Sequence, residues 1–150
     1  MNKHMVKPAY VLGWKKKNAM TMKYSEGLKA LISKLPQDTY VVYGGLCTTT
    51  NAEVQDIADN GVMMPGRGAT LMLGERSRCH DNVAKLYSYS RPRIDAIVTG
   101  YALSKDGLWR RHSWGLRKGK VIETTELRKR YFGKVLDANE SQEFVDSQMW

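Results

Sequence analysis

Two turn signals late in the chain, Asp106-Gly107 and Lys118-Gly119, constrain the fold more than any other feature of the sequence. Such pairs favour the tight turns of β-hairpins, because glycine readily adopts the positive φ angles that these turns need. The segments that the turns separate are rich in β-branched and aromatic residues, as strands are. Their ranges are 94–104, 109–116 and 120–125. The region therefore predicts an antiparallel meander of three strands.

Four further segments are expected to form helices, and in two of them, residues 25–35 and 77–89, apolar residues fall at the spacing of one helical face. Their expected ranges are 25–35, 51–59, 77–89 and 139–147. Ser25 is expected to cap the first helix and Pro36 to end it, while Thr50 or Asn51 caps the second. Ser77 is expected to begin the third helix.

The remaining segments complete an α+β domain. Thr39–Tyr43 is expected to form a strand, and residues 62–75, which contain Pro65 and several glycines, are expected to be mostly loop, with a short strand at residues 70–73. We expect a basic N-terminal arm or edge strand at residues 1–20 and one α+β domain at residues 21–150. Its helices would pack on the antiparallel meander, because their apolar faces need a partner.

The sequence also indicates the environment of the protein. No apolar stretch approaches the ~20 residues of a membrane helix, and the N-terminus lacks the apolar core of a signal peptide. Two cysteines do not make a disulfide framework, and Cys47 is expected to be a buried free thiol. We therefore expect a cytoplasmic protein that does not contact the membrane.

Cys79 is expected in the first turn of the third helix. Unpaired backbone N–H groups and the helix dipole favour an anion at that position. Arg76 and Arg78 add positive charge nearby. Because these effects lower the pKa of a thiol, and because the thiolate is the reactive form, Cys79 is a candidate nucleophile.

His112 is the candidate base, and its partner depends on the register of the second hairpin. With a two-residue loop at Lys118-Gly119, Trp114 would pair with Glu123, so that His112 and Glu123 become diagonal neighbours about 7–8 Å apart on one face. The carboxylate could then orient the imidazole towards a thiol. A three-residue loop with a bulge would turn Glu123 to the other face and leave Thr124 or Thr125 as the orienting group.

The order of these groups resembles the papain-like and transglutaminase-like cysteine hydrolase superfamily. The matching segments are Ser77-Arg-Cys79-His-Asp-Asn82, His112-Ser-Trp114 and Val121-Ile-Glu123-Thr-Thr125, within residues 70–126. The resemblance implies a helix packed on an antiparallel sheet and a thiolate that attacks an acyl carbon. It implies an amide, isopeptide or ester bond in a peptide or other acyl substrate, a thioester intermediate and a catalytic role for Cys79, His112 and Glu123.

The sequence departs from that superfamily at two points. The acid is Glu123 where Asp or Asn is usual, and no Gln precedes the nucleophile in residues 70–78 to donate to an oxyanion. The Cys79 N–H could serve, with Asn82, Asn51 or an amide of the Gly44-Gly45 loop as a second donor. Trp114 and Tyr101 are candidates for lining a substrate cleft.

A second function from another class fits the charge of the chain. With 24 basic and 15 acidic residues, the chain has a formal net charge of +9, which attracts polyanions. The alternative is therefore a non-catalytic basic module that binds nucleic acid or an acidic protein. Its candidate contacts are Arg91, Arg93, Arg110, Arg111, Arg117 and Lys118.

Neither a metal nor a cofactor is expected. Cys79, His80, Cys47 and His112 include atoms that bind zinc, but adjacent helical residues point about 100° apart. No Cys-x-x-Cys or His-x-x-x-His spacing supports such a site.

Overall fold

The computed structural model describes residues 6–8, 25–43 and 50–149. Among these residues it contains four helices and eight strands, in a mixed α+β arrangement. The helices are α1 (Glu26–Lys34), α2 (Asn51–Asn60), α3 (Cys79–Ser88) and α4 (Ala138–Met149). The strands are β1 (Val6–Pro8), β2 (Tyr40–Tyr43), β3 (Val62–Pro65), β4 (Thr70–Leu71), β5 (Ala96–Leu103), β6 (Leu108–Arg117), β7 (Lys120–Glu123) and β8 (Arg130–Val135).

The strands form one curled, mostly antiparallel sheet. Its main order is β1-β2-β6-β5-β8-β3, while β7 pairs with both β6 and β4. The meander β5-β6-β7 is antiparallel, whereas the pairs β1-β2, β2-β6 and β4-β7 are parallel. The predicted α+β class and the predicted meander are therefore confirmed.

Strand β6 has a gap along one of its edges. Strand β5 occupies one edge of β6 along almost the whole length of β6, so β2 and β7 share the other edge of β6. There β2 pairs with Leu108 and Trp109, and β7 pairs with residues 115–117. Among the described residues, no strand pairs with residues 110–114 at that edge, and another part of the chain can approach the backbone there.

Both helical pairs pack on the same face of the sheet. Helices α1 and α2 cover one end of that face over Tyr101, Trp109 and Phe132, and α3 and α4 cover the other end over Ile97 and Ile122. Alternate strand residues point to the opposite face. That face carries Val98, Ala102, Trp114, Val121 and Tyr131, with Met64 and Ala69 packed against them. No residue of a described helix belongs to this second cluster.

Most element boundaries match the sequence, because the local signals act as expected. The side chain of Ser25 accepts a hydrogen bond from the Leu28 N–H and caps α1, and Thr50 caps α2 in the same way. The N-terminal arm expected at residues 1–20 lies outside the described residues except for β1, which is an edge strand.

Three expectations are corrected. Residues 62–65 form β3 and not a loop, because Pro65 stands at the end of an edge strand, where a missing N–H costs little. Strand β8 was not predicted at all, yet it pairs with both β5 and β3. Ser77 does not begin α3: its φ is 60°, and the helix begins at Cys79.

None of the helices in the described ranges is both long enough and apolar enough to cross a membrane.

Candidate active site

The β6-β7 hairpin has the register that places Glu123 beside His112. The pairs are Arg117↔Lys120, Leu116↔Val121 and Gly115↔Ile122. The loop is therefore the two residues Lys118 and Gly119, with φ angles of 51° and 76°. Two consecutive positive φ angles match the right-handed twist of the strands, which is why glycine is useful there. The bulged alternative, in which Thr124 or Thr125 would replace Glu123, is wrong.

His112 and Glu123 form a buried contact. Nε2 of His112 lies 2.8 Å from Oε1 and 3.0 Å from Oε2 of Glu123. The side chains are 3% and 0% exposed, respectively. Since Nε2 is committed to the carboxylate, Nδ1 of His112 is the nitrogen left for the thiol.

Glu123 also accepts hydrogen bonds from four groups outside the imidazole. Oε2 accepts from the backbone N–H groups of Thr124 and Thr125 and from the Thr125 hydroxyl, each at 3.0 Å. Oε1 accepts from the Tyr131 hydroxyl at 2.8 Å. Burial alone would raise the pKa of Glu123, but His112 and these donors outweigh it and lower the pKa to about 2. The carboxylate is therefore charged at neutral pH.

Tyr131 is the member of this group that sequence reasoning missed. It lies on β8, a strand that was not predicted, and no spacing relative to Glu123 could have indicated the contact. Burial, and then the charge of Glu123, raise the pKa of Tyr131. The phenol thus stays protonated and acts as a permanent donor.

Cys79 approaches His112 through the gap at the edge of β6. The half-buried thiol lies against the His112 side chain and the backbone N–H of Ser113, and both neighbours favour its thiolate form. Ser113 lies within the stretch of β6 that has no strand partner at that edge, so its N–H is available. The gap in the sheet thus lets a helix on one face bring its first residue to an imidazole on the other.

The thiol and the imidazole shift each other's pKa in opposite directions. Burial alone would raise the pKa of Cys79, but the hydrogen bond and charge of His112, with the Ser113 N–H, lower it overall. Burial alone would lower the pKa of His112, but hydrogen bonds to Cys79 and Glu123 raise it overall. Both shifts favour a thiolate–imidazolium pair. Arg78, suggested by the sequence as a contributor, instead pairs with Glu75 and Asp81 at the surface.

A second hydrogen-bonded chain holds the first turn of α3 to β6. Nδ1 of His80 lies 2.6 Å from Oγ of Ser113, which lies 2.9 Å from Oγ1 of Thr99. Burial, followed by the charges of Arg111 and His112, lowers the pKa of His80 to about 4. His80 is therefore neutral at pH 7 and adds no charge beside the thiolate.

The other candidate residues are only partly brought together. Trp114 stacks on His112 with ring centroids 6.0 Å apart, whereas Tyr101 is buried on the opposite face under α1 and α2. Asn82 binds the backbone N–H and carbonyl of Glu75 at 2.9 and 2.8 Å. Oδ1 of Asn51 accepts from the Gly27 N–H at the contact between α1 and α2.

The basic candidates do not share one surface. Arg110 and Arg111 are consecutive on β6 and point to opposite faces. Arg110 binds Asp106 through two nitrogens, and Arg111 donates to Thr99 and to two backbone carbonyls. The other four candidates have exposed side chains: Arg91, Arg93, Arg117 and Lys118. Cys47 and the Gly44-Gly45 loop lie outside the described residues.

No protein-family model, curated protein or solved structure matches this chain. Among the described residues, no group of three or more His, Cys, Asp or Glu side chains is arranged to hold a metal ion.

Proposed function

We propose that the protein is a cysteine hydrolase or acyltransferase that acts on an amide, isopeptide or ester bond. Cys79 is the nucleophile, His112 the general base and acid, and Glu123 the group that orients His112. One observation carries the proposal: a single buried imidazole contacts a thiol of lowered pKa on one side and a buried carboxylate on the other. Nucleophile, base and orienting acid in contact are the signature of covalent acyl chemistry.

The proposed reaction follows from these contacts. The Cys79 thiolate attacks the acyl carbon, and the developing oxyanion is stabilised by backbone N–H groups in the first turn of α3. The imidazolium of His112 gives its proton to the departing amine or alcohol as the bond to the acyl carbon breaks. Water or an acceptor amine then attacks the thioester while His112 removes a proton from it, and the thiolate is released.

The arrangement supports a papain-like or transglutaminase-like core as part of this proposal. A cysteine opens a helix that packs on an antiparallel sheet, and the histidine and the acid lie on neighbouring strands. The missing upstream Gln leaves the backbone of α3 as the source of oxyanion donors. Asn82 is a poorer source, because its amide nitrogen already donates to Glu75 and Thr124.

The rate at which iodoacetamide alkylates each cysteine tests this proposal without knowledge of the substrate. An ordinary thiol with a pKa near 8.5 is only about 0.3% thiolate at pH 6. The lowered pKa of Cys79 and the raised pKa of His112 both increase the share of the thiolate–imidazolium pair below neutral pH. We expect Cys79 to react about 10²-fold faster than glutathione at pH 6, with peptide mass spectrometry locating the label.

The control is the pH dependence of the Cys79 alkylation rate in wild type and in His112→Ala. In His112→Ala the burial of the thiol remains while its hydrogen-bond partner is lost, so the pKa of Cys79 should rise and the reactivity at pH 6 should disappear. Cys47 in the same protein is the internal reference. A Cys79 that reacts no faster than glutathione at pH 6, or a profile that His112→Ala leaves unchanged, would refute the proposed function.

A further inference from the structure

An open depression includes Arg110, which lies on the same face of β6 as His112. It has a volume of about 430 Å³ and is lined by Ser104, Lys105, Asp106, Arg110, Glu126 and Arg128. Arg110 precedes His112 by two residues on β6, so both side chains lie on one face about 7 Å apart. Glu126 and Arg128 follow Thr125, whose hydroxyl donates to Glu123. The depression thus includes residues that are close in sequence to His112 and to Thr125, the partner of Glu123.

Arg128 is held rigidly in the wall of this depression by neutral acceptors. Its Nε donates to the Glu126 carbonyl at 2.9 Å, and its two terminal nitrogens donate to Oγ of Ser104 at 3.1 Å and Oγ1 of Thr125 at 3.3 Å. A guanidinium has five N–H groups, so these three contacts leave two for a ligand. The side chain is half-buried, and its position is already set before a ligand binds.

The charge of Arg128 is not matched by a carboxylate. Among the described residues, no Asp or Glu oxygen forms a salt bridge with Arg128, whereas Arg110 in the same depression binds both oxygens of Asp106. A partly buried cation is costly without an anionic partner. The lining also carries the positive charge of Lys105, so three cations face two carboxylates in this depression.

We propose that Arg128 binds a carboxylate of the substrate, and that the depression is the specificity pocket for an acidic acyl compound. This inference rests on the proposed function of Cys79. Arg128 suits a carboxylate because a guanidinium can present two parallel N–H groups to its two oxygens. Through Thr125, and through its own backbone N–H to the Tyr131 hydroxyl at 3.3 Å, Arg128 also touches two of the groups that hold Glu123. The bound carboxylate would therefore sit at a fixed position relative to Glu123, and through it relative to His112.

Matched irreversible inhibitors test the pocket. Dipeptide chloromethyl ketones carrying glutamate at the first or the second position from the reactive group would be compared with the same compounds carrying glutamine. The two side chains have nearly the same shape and differ in charge. For at least one position we expect the glutamate compound to alkylate Cys79 about tenfold faster or more, which corresponds to one charge-assisted hydrogen bond.

Arg128→Met and Arg117→Met separate the possible outcomes. Arg128→Met should bring the ratio of the glutamate rate to the glutamine rate close to one. The rate with the glutamine compound reports whether Cys79, His112 and Glu123 still act together. Arg117→Met, at an exposed position near the far end of β6, should leave the ratio unchanged. Arg128→Lys should restore part of the preference, since it keeps the charge but loses the two-pronged geometry.

The results distinguish this inference from the function on which it rests. If neither compound alkylates Cys79 faster than glutathione, the proposed function fails and this inference fails with it. If both compounds react rapidly with a ratio near one, or if the preference survives in Arg128→Met, the function stands and the carboxylate pocket is disproved.

Discussion

Helices α1 and α2 begin with a side-chain cap, and helix α3 begins without one. Ser25 and Thr50 have extended backbones, with ψ angles of 163° and 156°, and their hydroxyls accept from backbone N–H groups of the first turn. Arg78 occupies the same position before α3 with a ψ angle of 47°, and its side chain makes no such bond. The first two helices are built for stability, whereas the third leaves the N–H groups of its first turn available to an anion.

The difference follows from what each helix touches. Helix α2 uses Asn51, its first residue, to bind the N–H of Gly27 at the start of α1, so this end of the molecule is tied together. Helix α3 presents Cys79 to Ser113 and His112 at the gap in β6. The Asn82 side chain fixes the segment before α3, because it binds the backbone N–H and carbonyl of Glu75. Asn82 thus supports the turn that positions the thiol.

Removing the nucleophile or the base tests whether α3, unlike the capped helices, serves catalysis. Cys79→Ala should abolish acyl transfer, and His112→Ala should lower kcat/KM by at least about 10³-fold, since the members of a triad act as a unit. Both rates would be measured on a panel of peptide and isopeptide substrates. Cys79→Ala should leave the thermal midpoint nearly unchanged, because trimming a half-buried thiol leaves only a small cavity. If the Cys79→Ala protein kept full activity, the uncapped first turn of α3 would have no catalytic role.

Glu123→Ala should give the largest loss of stability, about 3–5 kcal/mol, because it leaves buried donors without their acceptor. The unpaired groups would be the Tyr131 hydroxyl, the imidazole of His112 and the N–H groups of Thr124 and Thr125. Glu123→Gln should cost less in activity than the loss of Cys79 or His112, since it keeps the shape. It should still destabilise the fold, because one amide N–H must face another donor.

Denaturant melts at several pH values check this prediction and its sign. The folded-state pKa of Glu123 is lowered from 4.5 to about 2, so its charge stabilises the fold above pH 4.5. That contribution is lost as the pH falls towards 2. The stability difference between wild type and Glu123→Ala should therefore shrink between pH 4.5 and 2. A difference that is small at pH 7, or that does not change with acid, would contradict the buried ionised carboxylate.

The sequence was sufficient where a single local signal decides the structure. Lys118-Gly119 determined the hairpin loop, and the loop determined which face carries Glu123. Ser25 and Thr50 marked their helices for the same reason. Sequence reasoning placed the start of α3 two residues early, because Ser77 is a good cap in general and only the surrounding turn shows that it has a positive φ.

The features that the sequence could not supply depend on pairing between distant segments. The gap in β6 exists because β2 and β7 pair with different ends of one edge, and no local pattern encodes that. The donor from Tyr131 and the position of Arg128 beside Thr125 depend on strand β8 and the segment before it. Neither strand β8 nor strand β3 has a strong alternation of apolar and polar residues. Long-range strand pairing, and not propensity, places both in the sheet.

Alanine at each of the three N-cap positions is the finest test of the comparison. Ser25→Ala and Thr50→Ala should each lower the free energy of unfolding by about 1 kcal/mol, since each leaves an N–H without its acceptor. Arg78→Ala should change it by less than about 0.5 kcal/mol, because Arg78 caps nothing and its ion pairs are exposed. Urea melts give these values, and iodoacetamide rates on the same proteins report the thiol. We expect Cys79 to react at the wild-type rate in Ser25→Ala and Thr50→Ala, whose helices lie at the other end of the sheet. Should Arg78→Ala prove as costly as the other two, α3 is capped in solution, and its first turn is not free to bind the oxyanion.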